Sequence, residues 1–206
     1  MSFPLRPRAL LVDLDGVIRH WRGQGDPKIE RETGLPPGAI RVAAFSTDLL
    51  LPAITGHVSD EEWRQQTVDR LAAQFPGANA AEAIARWSEP AGEIDDTVLA
   101  LLERCREHAT IVLVTNATSR LDRDLAQLGI AGAFDRTVNS SVVGHPKPEP
   151  EIFAAALAAA GVPAGAAFFV DDKAEFVAAA EMIGIAGHHF RDLAALRDAL
   201  TAQQLL

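Results

Sequence analysis

The chain has 206 residues, 48% of them hydrophobic, and a mean hydropathy of +0.07. That is enough for one domain with a sizeable insertion and excludes a disordered polymer. Lys+Arg number 19 against 28 Asp+Glu, a formal net charge of −9. With no basic run, this balance argues against nucleic acid or an anionic membrane surface as partner and favours cations.

The single cysteine, Cys105, excludes a disulfide framework within the chain and argues against a cysteine-based zinc site. It points to a reducing, cytoplasmic compartment. No apolar stretch approaches the ~20 residues of a membrane span. The run Ala9 to Val12 is too short for a signal peptide and meets Asp13 at once.

In chain order, Ala9-Leu10-Leu11-Val12 reads as a strand buried on both faces, the mark of a parallel sheet. Residues 20 to 94 then hold no convincing buried strand. Trp63, Thr67, Leu71 and Phe75 repeat at helical spacing there, behind a capping-box pair, Ser59 and Glu62. Val98, Leu101, Leu102 and Cys105 predict the buried stripe of a helix. Ile111 to Val114 predicts the next strand, and Leu121, Leu125 and Leu128 a helix after it. A weaker strand is expected over Phe134 to Val138. Helical stripes follow at Ile152, Phe153, Leu157 and Ala160, and at Phe176, Val177, Ala180 and Ile183. Between them Ala166 to Val170 reads as a buried strand. Ile185 to Phe190 is a weaker strand, and residues 192 to 203 a closing helix. This alternation predicts an α/β fold, a doubly wound parallel sheet built from right-handed βαβ units. Its core would be residues 1–19 and 95–206, with residues 20–94 inserted as helices.

In such sheets ligands gather at the carboxyl ends of the strands. Asp13-Leu14-Asp15-Gly16-Val17 follows the first strand, Thr115-Asn116 the second, and Asp171-Asp172 the Phe168-Phe169-Val170 run. Lys147 lies in a proline-flanked loop ahead of a helix. Clustered carboxylates repel, and a divalent cation removes that repulsion. Hard oxygen donors select Mg²⁺, which accepts phosphate oxygens. Thr115, the Asn116 amide and Lys147 also suit a phosphoryl group. A carboxylate can attack phosphorus, and a second, two residues on, can protonate the leaving oxygen.

Asp13-Leu-Asp15-Gly16-Val17, Thr115-Asn116, Lys147-Pro148-Glu149-Pro150 and Val170-Asp171-Asp172, in that order across nearly the whole chain, resemble the four motifs of the haloacid dehalogenase (HAD) superfamily. The resemblance implies a Rossmann-like core with an α-helical cap of the first subfamily type. It implies Asp13 as nucleophile and Mg²⁺ ligand. Asp15 would be the general acid/base, with its backbone carbonyl on the metal. Thr115 and Asn116 would hold the phosphoryl group, Lys147 would neutralise charge, and Asp172 would bind Mg²⁺ with Asp171 beside it. Family dehalogenases lack the acid at the position of Asp15, so the resemblance favours a Mg²⁺-dependent phosphatase acting on a small phosphorylated metabolite. Phe176 stands where family members often carry Asn or Asp.

Other readings use the same residues. A phosphomutase or a 2-haloacid dehalogenase would share the motifs. A receiver-like module phosphorylated on Asp also combines Asp, Thr and Lys, but it is shorter and lacks a long insertion after its first strand. Taken singly, an Asp after a strand is a helix cap or turn residue as readily as a nucleophile. Arg19, His20, Trp21 and Arg22 follow the first motif; Arg19 and His20 are candidates to touch substrate. Trp63 and His57 read as packing of the insertion before pocket lining. The second Asp-x-Asp pair, Asp122 and Asp124, falls on an expected exposed helix.

Overall fold

The computed structural model describes residues 8–21 and 26–206. The chain opens with β1 (Ala9–Val12) and a two-residue strand, β2 (Arg19–His20). Five helices follow: α1 (Asp26–Thr33), α2 (Ala39–Ala44), α3 (Thr47–Ile54), α4 (Asp60–Gln74) and α5 (Ala80–Trp87). Then come β3 (Glu93–Ile94), α6 (Asp96–Cys105), β4 (Thr110–Thr115) and α7 (Leu121–Gln127). The remainder alternates: β5 (Arg136–Asn139), α8 (Ser140–Val143), α9 (Pro150–Ala160), β6 (Ala167–Asp171), α10 (Ala174–Met182), β7 (Ala186–His189) and α11 (Leu193–Ala202).

β5, β4, β1, β6 and β7 form, in that order, one parallel sheet. β1 lies at its centre and every residue from Ala9 to Val12 is fully buried. Leu10 and Val12 face a cluster with Val98, Leu102, Leu125 and Leu196, which belong to α6, α7 and α11. Ala9 and Leu11 face the other side, against Ile152 and Phe153 of α9 and Val177 and Ala180 of α10. The sheet is therefore wound on both faces, as the two-sided burial of β1 requires.

The segment between β2 and β3 packs on itself. Ile29, Ile40, Leu71 and Ile84 form one cluster, and Leu49, Ala53 and Trp63 another. α4 begins as expected: Ser59 accepts from the Glu62 amide and Glu62 reaches back to the Ser59 amide. Such a reciprocal cap is worth about 1 kcal/mol.

Two expectations need correction. The strand expected over Phe134 to Val138 runs instead over Arg136–Asn139, because Phe134 is drawn into the core beside Ile130. Ile183 lies past the end of α10 and is exposed. The described residues from 20 to 94 hold no buried strand, as expected; His20 pairs with Glu93 and Arg19 with Ile94 in a short antiparallel ribbon whose residues in this range are not buried. Two residues are too few to show alternation in a sequence.

Candidate active site

Register brings the strand ends level. Val12 of β1 is partnered by Leu113 of β4 and by Val170 of β6. Asp13, Thr115 and Asp171 therefore emerge on the same edge, and the Asp13 amide donates to the Val170 carbonyl at 3.0 Å. Lys147 arrives from the loop after α8. Its Nζ lies 2.7 Å from Asp13 Oδ1 and 2.6 Å from Asp171 Oδ2, with the side chain almost wholly buried.

Asn116 explains why Lys147 sits there. Its side-chain amide donates to the Lys147 carbonyl at 2.9 Å and accepts from the Lys147 amide at 2.7 Å. The reading from sequence used only the Asn116 backbone; the structure adds a two-point grip on the lysine. Phe176, the departure noted in the fourth motif, stands 5.3 Å under the same ammonium, and Phe169 lies at 5.7 Å. Aromatic faces stabilise a buried cation.

Three carboxylates, Asp13, Asp171 and Asp172, gather within 4.8 Å of one another. One ammonium cannot balance them. Burial pushes the Asp13 carboxyl up to about 6, with Lys147 opposing and Asp171 assisting the rise. Burial also raises Asp171 and Asp172. Burial alone would lower Lys147, but Asp13 and Asp171 together move it upward. The two neighbouring aspartates differ in what they touch. Asp171 meets Lys147 with one oxygen and the Lys173 amide with the other, at 2.8 Å. Asp172 Oδ1 is buried with no hydrogen-bond partner. A buried carboxylate oxygen without a donor is costly, and a hard cation fits the vacancy in its bonding. The donor set is thus suited to Mg²⁺.

Gly16 makes the close approach possible. Its φ is +86°, and a Cβ there would lie 2.2 Å from Asp172 Oδ2. The tight turn from Leu14 to Arg19 also bends the chain back, so that Gly16 N–H meets the Arg19 carbonyl at 2.8 Å. Arg19 consequently lies over Asp15. Its Nε is 2.7 Å from Asp15 Oδ1 and its Nη2 2.8 Å from Oδ2. Trp21 Nε1 donates to Asp15 Oδ1 at 2.7 Å. The Asp15 carboxylate is therefore not part of the Asp13, Asp171 and Asp172 cluster.

Arg19 and His20 both line the adjoining cleft. Arg19, only 4% exposed, is engaged by Asp15 and, through Nη1, by Asp124 at 3.2 Å. It does not stand free to meet a substrate. His20 lies 3.9 Å from Asp95. Arg22 lies outside the described residues. Asp124, expected on an exposed helix face, is buried and also accepts from Arg120 Nε at 2.5 Å. Arg120 in turn donates to the Ser88 and Pro90 carbonyls, fastening the chain that leaves α5. Asp60 of α4 accepts from Thr118 Oγ1 at 2.7 Å, a second tie between the helices and the sheet. His189 Nε2 donates to the Asp172 carbonyl at 3.0 Å and so supports the loop that carries Asp172.

A cleft of about 660 Å³ opens over these groups, within the range that holds a small ligand. Asp13, Asp15, Thr115, Asn116, Lys147 and Asp172 stand on its wall, and residues of α2 to α5 complete it.

A family model for haloacid dehalogenase-like hydrolases matches residues 7–184. Among curated proteins, a mouse haloacid dehalogenase-like hydrolase domain-containing protein 3 is 38% identical over 73 residues, 35% of this chain. The match spans 29% of that relative's length. Among solved structures, a HAD family enzyme from Bacteroides thetaiotaomicron, in complex with magnesium and inorganic phosphate, superposes with a TM-score of 0.74 at 23% identity. The match covers 92% of this chain and 98% of that one. A HAD-like family hydrolase from Porphyromonas gingivalis gives 0.74 at 20%, covering 97% and 98%. An L-2-haloacid dehalogenase from Xanthobacter autotrophicus, with chloropropionic acid covalently bound, gives 0.65 at 16%, covering 97% and 84%. At these identities the likeness is one of fold.

Proposed function

The chain belongs to the haloacid dehalogenase-like hydrolases, and from that premise we propose that it is a Mg²⁺-dependent phosphatase of a small phosphate monoester. One observation carries the reading. Three carboxylates gather at one place, two of them on a buried lysine, and an oxygen of the third, Asp172, has no partner. The Bacteroides relative, solved with magnesium and inorganic phosphate, supports the same pairing of cation and anion.

Asp13 and Asp172 would hold the cation, with the Asp15 carbonyl, as the family resemblance implies. Asp171 stands behind, oriented by Lys147 and the Lys173 amide. When bound, Mg²⁺ supplies positive charge against the carboxylates and the phosphoryl oxygens. The Thr115 hydroxyl and the Asn116 amide donate to those oxygens, and Lys147 balances the charge that develops on them. An Asp13 oxygen attacks phosphorus, and the bond to the leaving oxygen breaks. Asp15 gives that oxygen its proton, so the alcohol departs neutral and Asp13 carries the phosphoryl group. Asp15 then takes a proton from water as the water oxygen attacks the same phosphorus. Phosphate leaves and Asp13 is restored. The carboxyl of Asp15 separates this course from that of the family dehalogenases.

Residues 20–94 serve as a cap over a core of 1–19 and 95–206, excluding bulk water and contacting the alcohol. The acidic surface fits a small metabolite better than nucleic acid. No helix among the described residues is long and apolar enough to cross a membrane. The test is phosphate release from a panel of monoesters, with Mg²⁺ and with chelator, for the wild type and Asp13→Asn. Release that requires both Mg²⁺ and Asp13 is expected. Release that persists in Asp13→Asn, or halide release without metal, would overturn the reading.

A further inference from the structure

The cleft wall is aromatic to an unusual degree for this chain. The sequence holds three tryptophans, and all three line the cleft: Trp21, Trp63 and Trp87. Phe45 joins them. Trp63 and Trp87 meet edge to face at 5.9 Å, Phe45 and Trp87 at 6.0 Å, and Phe45 and Trp63 at 6.4 Å. Trp21 stands at the chemical end, hydrogen-bonded to Asp15. Phe45 remains 46% exposed and Trp21 41% exposed. The Arg19 guanidinium lies over Trp21 at 4.7 Å and that of Arg41 over Phe45 at 5.2 Å, and each ring still leaves apolar area to water on the wall of one concavity, where a ligand can cover it.

The charged groups of the wall point the same way. Arg19 is paired with Asp15, Arg41 with Asp26, Arg64 with Asp60 and Arg120 with Asp124. Every arginine on the described wall therefore already faces a carboxylate. A second phosphate or a carboxylate on the substrate would compete with these carboxylates for an arginine, and Lys173, the wall cation outside these pairs, lies over Phe176 beside the aspartate cluster.

We propose that the leaving group is an uncharged alcohol bearing a flat ring system, seated against Phe45, Trp87 and Trp21, and that monoesters of acidic or polyanionic alcohols are poor substrates. This rests on the phosphatase reading above and names its substrate class. Ring stacking and apolar burial add binding that a short polyol cannot supply.

The test compares kcat/KM for 2-phenylethyl phosphate and benzyl phosphate with that for glycerol 3-phosphate and phosphoglycolate. The ring esters are expected to lead by about ten- to a hundredfold. Parity, or a lead for phosphoglycolate, would overturn the proposal. Binding is read separately, by tryptophan fluorescence, with benzylphosphonate against methylphosphonate; benzylphosphonate should bind at least about tenfold tighter. If no ester is hydrolysed, the phosphatase reading falls, yet tighter benzylphosphonate binding would still support the ring-bearing class and equal binding would overturn it. Phe45→Ala keeps all three tryptophan reporters and changes a half-exposed side chain. It should reduce the ring preference about five- to tenfold, whereas a preference unchanged in this variant would remove Phe45 from the proposal.

Discussion

Arg19 closes on Asp15 with two parallel hydrogen bonds, 2.7 Å from Nε to Oδ1 and 2.8 Å from Nη2 to Oδ2, across one tight turn of four residues. Its remaining amino group holds Asp124, 105 residues away in sequence. The side chain proposed to move a proton is thus aimed by a guanidinium that is itself fixed from α7. Arg19→Ala should lower kcat by about a hundredfold, the cost of a displaced reacting group, and change KM little. Arg19→Lys keeps the charge but not the two-point geometry, so it should recover only part of the loss. Steady-state kinetics of both variants checks this; a changed KM with intact kcat would assign Arg19 to substrate instead.

Asp124 ties two guanidiniums together beneath the cleft, and each side chain of the trio is at least nine-tenths buried. Removing the carboxylate leaves Arg19 and Arg120 with one anion fewer between them. Asp124→Ala should destabilise the fold by about 3 kcal/mol, as broken buried pairs do. Urea unfolding measures the loss. Arg120 also holds the Ser88 and Pro90 carbonyls, so amide exchange around residues 88–91 should quicken in the same variant.

Metal-free protein should become less stable as pH rises through the weakly acidic range. Folded Asp13 sits at about 6 against an ordinary 3.8, so between these values the folded chain holds more protons than the unfolded one. The slope of stability with pH is then negative. The contribution is fully present near pH 4 and lost as pH passes about 6. Adding Mg²⁺ at pH 7.5 to about 100 times its Kd should raise Tm by about 5–10 °C. Differential scanning calorimetry with and without chelator reads both effects. A metal-free Tm that climbs steadily from pH 4 to 7 would count against the carboxylate cluster as the source.

Cys105 lies on the buried face of α6, and burial pushes its thiol up to about 11. The native protein should therefore resist alkylation by iodoacetamide at pH 8 over hours, and react within minutes once denatured. Mass spectrometry of the intact chain distinguishes the two.

Much of the core was legible because burial on both faces writes itself into sequence as an unbroken apolar run. Ala9 to Val12, Ile111 to Val114 and Ala166 to Val170 each became a strand of the sheet. Their ends could then be searched for chemistry, which brought out Asp13, Thr115 and the Asp171-Asp172 pair. The contacts between distant segments were not legible. Asp124 has the helical neighbours of a surface residue, and only the folded chain reveals that Arg19 reaches it. The side-chain grip of Asn116 on Lys147 is of the same kind, as is the aromatic face that Phe176 offers to the ammonium where family members often carry Asn or Asp. Periodicity reports which face is buried, not which polar groups will meet across 31 or 105 residues.

The paired crossing at Arg19–His20 and Glu93–Ile94 means that the chain leaves the sheet and returns to it at a single place. The chain between those strands enters and leaves by one doorway, and side-chain ties such as Asp60 to Thr118 and Arg120 to Ser88 hold it against the sheet. The clustered carboxylates, the lysine and the hydroxyl all belong to segments outside it, while the edge-to-face rings of Phe45, Trp63 and Trp87 belong to the segment inside. On the proposed reading, the gene keeps the handling of phosphorus and the choice of alcohol in separate paragraphs. A helical segment of different sequence, spliced between the same two short strands, would redirect the protein to another alcohol without disturbing the register of a single strand in the five-stranded sheet.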